Sequence, residues 1–180
     1  MKFRAFLVIV SLAGLSSGHC YSHETCKTCP EGWTKWGKNC YRFYNQPRLN
    51  FDDSEDFCTS FVPLESVCPC LTAHLASVES EDENNFLLDW WKSFREPIPE
   101  RQHVRVGYTD SASEGTWKWS DGSSSTYTAW DGGQPDNVGS SQDCAVMWKL
   151  EGSSSGDIGK WDDEGCRTLR AFFCKFRLLD

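Results

Sequence analysis

Two amphipathic segments that begin with helix-start signals, followed by a run of short apolar segments cut by Gly, Ser, Asp and Pro, predict an α+β domain. Ten cysteines in 180 residues predict that this domain is stapled by disulfides. Between the late strands lies a Gly/Ser-rich loop, 130–144, that can be neither a helix nor a central strand and is dense in side-chain oxygens.

The chain opens with Lys2 and Arg4, an apolar run over 5–15 and small residues up to Gly18, the anatomy of a secretory signal peptide over 1–18. Read as a membrane anchor, the apolar run is well short of the ~20 residues that span a bilayer. Residues 1–18 hold two basic side chains and no acid, so the remainder carries 16 basic against 26 acidic residues. That acidity argues against a nucleic acid or an anionic membrane as partner. All ten cysteines lie beyond the signal segment, and an oxidising compartment suits them.

Residues 19–28 form a short polar tail with Cys20 and Cys26. His19, Cys20, His23 and Cys26 have the residue types of a zinc site, but in a secreted protein the thiols are read as disulfide partners. Over 33–43 aromatic and polar residues alternate between Cys29 and Cys40, as in a hairpin. The first helix is expected over 50–61, with Phe51, Phe57, Cys58 and Phe61 on one face, acids in the first turn and Pro63 as its stop. The second is expected over 80–94. Ser80 is its N-cap, Glu83 its third residue, and Phe86, Leu87, Trp90, Trp91 and Phe94 its apolar side, with Pro97 and Pro99 beyond. Strands follow at 104–108, 116–119, 145–150, 159–161 and 171–176. The nine tryptophans could stack on sugars only if exposed, and Trp90, Trp117, Trp119 and Trp148 are assigned to the core.

In the loop, Gln134 and Asp136 flank Pro135, and Gln142 and Asp143 lead into Cys144. Further on, Asp162 and Asp163 follow Trp161, with Cys166 three residues later. A disulfide between Cys144 and Cys166 would bring the two polar clusters together. Oxygens from Gln134, Asp136, Gln142, Asp162 and Asp163 suit a hard cation such as calcium, whereas zinc would want His or Cys.

These motifs, together with Cys29-Pro-Glu-Gly-Trp33, Cys40-Tyr41, Ala73-His-Leu-Ala-Ser-Val78, Val106-Gly-Tyr-Thr-Asp110, Trp117-Lys-Trp-Ser-Asp-Gly122 and Phe172-Phe-Cys-Lys175, give the chain a resemblance to the C-type lectin-like domain over 29–177. The resemblance implies two helices with antiparallel sheets and a long calcium-binding loop region. It also implies disulfides Cys29–Cys40, Cys58–Cys174 and Cys144–Cys166. Against the family's usual spacing 62–71 is an insertion, bringing Cys68 and Cys70; two apart around a proline, they are poor partners for each other. If both pair with Cys20 and Cys26 the protein can be a monomer, and if not, a disulfide-linked homo-oligomer follows.

Carried over residue by residue, the family pattern places a principal calcium on Gln134, Asp136, Gln142, Asp162 and Asp163, with Pro135 cis. A second calcium falls on Asp110, Glu114, Asn137 and Asp143, with Gln142 shared. Sugar hydroxyls would meet the ion and the side chains of Gln134, Asp136, Gln142 and Asp162. Two positions depart from the family: Gln142 stands where Glu is usual, and Asp162 where Asn is usual. Together the two departures leave the charge unchanged, since Asp136, Asp162 and Asp163 still supply three negative charges. The Gln-Pro-Asp order implies galactose-type sugars, although no aromatic follows Asp136 before Cys144.

The leading reading is therefore a secreted, calcium-dependent carbohydrate-binding lectin, with galactose or N-acetylgalactosamine as the sugar class and innate immune recognition of glycans as the setting that fold and secretion suggest. The alternative is a lectin-like domain that binds protein without sugar. An enzyme is disfavoured: His-Glu-X-X-His is missing, and neighbouring acids that hold calcium stay ionised and cannot act as a general acid.

Overall fold

The computed structural model describes residues 28–61, 71–94, 103–148 and 158–178. The signal segment, the tail with His19, Cys20, His23 and Cys26, the insertion cysteines Cys68 and Cys70, and Pro97 and Pro99 lie outside them. The expected hairpin is β1 (Thr34–Trp36) with β2 (Asn39–Leu49), turned at Gly37, whose φ of +57° favours a residue without a side chain. β2 runs on to Leu49 through a cis Gln46–Pro47 bond.

Asn50 caps α1 (Phe51–Thr59) by accepting from Asp53 N. The helix stops before Phe61, shorter than its apolar spacing suggests. Thr59 and Ser60 hydroxyls bond back to Asp56 O and Phe57 O, the local competition that weakens a last turn. Phe61 still packs, 4.8 Å from the Trp33 ring. In α2 (Glu81–Ser93), Ser80 Oγ accepts from Glu83 N, while the Glu83 carboxylate reaches back to Glu79 N at 2.8 Å. The buried apolar face is Leu87, Leu88 and Trp91, with Phe86 and Trp90 half-buried. Phe94 is instead 41% exposed: it is the C-cap, already extended, so it leaves the helical face it was expected to share.

One mixed sheet follows, in the order β1, β2, β8 (Arg170–Arg177), β4 (His103–Thr109), β6 (Cys144–Trp148) and β7 (Trp161–Glu164), with β3 (His74–Leu75) on β8 and β5 (Lys118–Trp119) on β4. The all-antiparallel expectation is corrected at one pair, since β4 and β8 run parallel through Val104↔Ala171 and Arg105↔Phe172. The chain does not hairpin from β7 into β8; it crosses to insert β8 between β2 and β4. Strand β7 begins where the expected 159–161 strand ends, so Asp162 and Asp163 sit on a strand, the first half-buried and the second buried. β6 pairs with β7 and with β4.

The three implied disulfides are present: Cys29–Cys40, Cys58–Cys174 and Cys144–Cys166. One apolar cluster lies under α2, around Trp161, Val104, Val106, Met147 and Phe173. The other lies under α1, around Phe51, Leu75 and Phe172. Trp119, Trp91, Trp33 and Trp161 are buried. Trp90, Trp117 and Trp148, assigned to the core from sequence, are only half-buried at its margin. No helix among the described residues is long and apolar enough to cross a membrane.

Candidate functional site

The loop 130–144 is stitched to β7 at its entry. Trp161 N donates to Ala129 O and Asp131 N to Trp161 O, both at 2.8 Å. At its exit the Cys144–Cys166 bond ties it to the chain just beyond β7. Gln134–Pro135 is cis, and Gly133 precedes it at φ +94°. The fully buried Asp163 holds the middle: its two carboxylate oxygens accept from Asp136 N at 2.9 Å and Asn137 N at 2.7 Å. Gln142 Nε2 donates to Asp163 O at 2.8 Å, and Gln142 N to Asn137 Oδ1 at 3.1 Å. Asp163, expected only as a ligand, thus also acts as the cap that shapes the loop.

Two amide oxygens here, Gln134 Oε1 and Gln142 Oε1, are buried and have no hydrogen-bond partner. For Gln142 the bond from Nε2 to a carbonyl fixes which end of the amide is the acceptor. Asp136 Oδ1 accepts from Val138 N at 3.2 Å, and its Oδ2 lies 3.4 Å from Gln134 Nε2. Burial pushes the Asp162 carboxyl up to about 6, with Asp163, Asp136 and Glu164 adding to the rise and His103 opposing it. A carboxylate short of compensation and two buried oxygens without donors are the electrostatic condition a bound cation relieves.

Glu164, two residues beyond Asp162, behaves oppositely. Burial would raise its carboxyl, but His103 and Arg170 outweigh burial and hold it at about 2. Arg170 grips both carboxylate oxygens, with Nε 2.8 Å from Oε2 and Nη2 on Oε1. His103 Nδ1 lies 3.7 Å from Glu164 Oε1. His103, Glu164 and Arg170 were not foreseen as part of this region. The only sequence signal was the alternation along Trp161–Glu164, which puts Asp162 and Glu164 on one face.

The residues expected for a second ion come together as two linked pairs. Asp110 N donates to Asp143 O at 3.1 Å, and Asn137 Nδ2 to Glu114 Oε2 at 2.7 Å. Asp110 is buried; its Oδ2 accepts from Gly115 N at 2.8 Å while Oδ1 has no partner.

Among the described residues no three His, Cys, Asp or Glu groups stand close enough together to hold a metal by themselves. The donor set fits calcium through its mixture, since carboxamide oxygens complete what the carboxylates begin and no nitrogen or sulfur ligand is offered. A larger cavity of about 1260 Å³, lined by His74, Glu79, Asp121 and Lys175, contains none of these residues. Lys175 there is buried against Glu83 at 2.8 Å and Glu79 at 3.3 Å. Its ammonium is therefore neutralised within the fold.

The sequence matches the family described as the Lectin C-type domain over residues 48–176. It is 36% identical to echinoidin of Heliocidaris crassispina, covering 84% of this chain and 99% of that protein. It is 35% identical to the alpha-N-acetylgalactosamine-specific lectin of Patiria pectinifera, covering 97% of each. The fold superposes on the C-type lectin CEL-I from Cucumaria echinata with a TM-score of 0.68 and 28% identity, over 82% of this chain and 96% of that one.

Proposed function

Because the chain belongs to the C-type lectin domain family, whose members are binding proteins rather than enzymes, we propose that it is a secreted lectin that binds galactose-type sugars, including N-acetylgalactosamine, in a calcium-dependent manner. The observation that carries this reading is the pair of buried, unpartnered oxygens, Gln134 Oε1 and Gln142 Oε1, set around Asp136, Asp162 and Asp163. These five residues would hold the ion. Bound there, calcium would supply a hard Lewis acid for two sugar hydroxyls.

The residues themselves supply direction. Asp136 and Asp162 offer carboxylate oxygens that accept from sugar hydroxyls, and the amide nitrogens of Gln134 and Gln142 donate to them. One Gln142 N–H is already committed to Asp163 O, which aims the amide and leaves the other for ligand. The Gln-Pro-Asp order and the N-acetylgalactosamine-specific relative both support the galactose class over the mannose class.

The test is a glycan array probed with full-length protein in calcium and in chelator, followed by competition with free galactose and free mannose. Retention on galactose-terminated glycans that vanishes with chelator and is displaced by galactose is expected. No retention on any glycan in either condition would favour the protein-binding alternative.

A further inference from the structure

We propose that a small cavity beside the calcium loop, floored by Tyr108, Trp117 and Trp119, is a second carbohydrate subsite that takes the apolar face of a pyranose ring without calcium. The sheet builds the floor. Tyr108 is the cross-strand partner of Trp119, and Trp117, two residues earlier, lies on the same face. The Tyr108 ring sits 5.3 Å from that of Trp117 and 4.4 Å from that of Trp119, and Tyr108 and Trp117 are only half-buried. Above them the turn through Gly122, Ser123, Ser124 and Ser125 completes a cavity of about 310 Å³, a volume at the small-ligand end of binding sites.

The turn is organised without any ligand. Ser123 N donates to Asp121 Oδ1 at 2.8 Å, Ser125 Oγ to Val78 O at 3.0 Å, and Trp119 Nε1 to Ser125 O at 3.1 Å. Ser124 is left exposed on the rim. An aromatic floor under a hydroxyl rim complements a ring with one C–H face and hydroxyls at its edge. A wholly apolar guest would leave the rim unused. An anion would meet only the exposed, solvated Lys118 in the lining and would lie near the Asp121 carboxylate.

The cavity's floor also touches the loop of the first site. Trp117 meets Trp130, the first residue of the loop, edge-on at 4.7 Å, and Glu114, three residues before Trp117, bonds Asn137 within it. The subsite takes its ligand class from the lectin reading but not its calcium dependence.

Full-length protein labelled with ¹⁵N is titrated with methyl galactoside in chelator while the indole N–H signals of Trp117 and Trp119 are followed. Saturable shifts of both signals are expected, with a Kd on the order of millimolar. They should be lost in Ser124→Trp, which fills the cavity from its exposed rim, with the remaining spectrum unchanged. Indole signals that stay still in chelator, or that shift equally in Ser124→Trp, overturn the proposal. Shifts that persist in chelator while the array finds no calcium-dependent binding would sustain the subsite and defeat only the calcium reading.

Discussion

Asp162→Asn should stabilise the calcium-free domain while weakening the proposed calcium site. Burial holds the Asp162 carboxyl at about 6, above its ordinary 3.8. An acid whose folded pKa is raised binds its proton more tightly in the folded state, so stability falls as pH climbs from 3.8 through 6. At full value two pH units correspond to roughly 3 kcal/mol at pH 7. Because the side chain is half-buried, solvent screening reduces this to ~1 to 2 kcal/mol. Asparagine carries no charge to bury, so it should recover that amount and raise Tm by roughly 2 to 8 °C. The assay is thermal unfolding followed by circular dichroism in chelator, at pH 7.5 and pH 4, for the natural protein and the variant. The gain should be clear at pH 7.5 and mostly gone at pH 4, where Asp162 is protonated in the folded state and roughly two-fifths so in the unfolded. In calcium the difference should shrink or invert, since the natural protein regains more stability from the ion than the variant does. A gain of equal size at both pH values would mean that packing, not charge, is responsible. A loss at pH 7.5 would refute the reasoning outright.

Gln142→Glu places an acceptor against Asp163 O and leaves that contact unpaired, at a cost of ~1 to 3 kcal/mol in either calcium state. Pairing it with Asp162→Asn restores three negative charges, so calorimetric titration with galactose should find the double variant stronger than the sum of the two single losses; strict additivity would show that the two positions share no ligand. Glu164, held at about 2 by His103 and Arg170 against an ordinary 4.5, contributes stability that is present above 4.5 and lost as pH falls towards 2. Glu164→Gln should therefore cost ~1 to 3 kcal/mol at pH 7, after allowance for screening, and almost nothing near pH 2, as read by denaturant unfolding. Non-reducing peptide mapping should join Cys20 and Cys26 to Cys68 and Cys70 within one chain or between two, and a Cys68–Cys70 bridge would contradict the expectation.

Much of this protein is written in short-range patterns. Asn50 and Ser80 announce helices because a side-chain oxygen two or three residues ahead of an orphan N–H satisfies it whatever the rest of the chain does. Gln134, Asp136, Asp162 and Asp163 stand out in the sequence as candidates because hard oxygens clustered beside cysteines suit a cation. The parallel meeting of β4 with β8 left no local trace, since it depends on where a strand is inserted rather than on its residues. Burial of Glu83 with Lys175 and Tyr41 was hidden for the same reason: a charged residue on a helix reads as solvated until a strand 92 residues away supplies its counter-ion. The capping role of Asp163, and the opposite behaviour of Asp162 and Glu164 on one strand face, were likewise decided by neighbours from β4, β8 and the loop. Charge and chemical type are properties of a residue, but desolvation and partnership belong to the packed molecule, and at this site they determine which carboxylate caps the loop, which is neutralised and which is left wanting a cation.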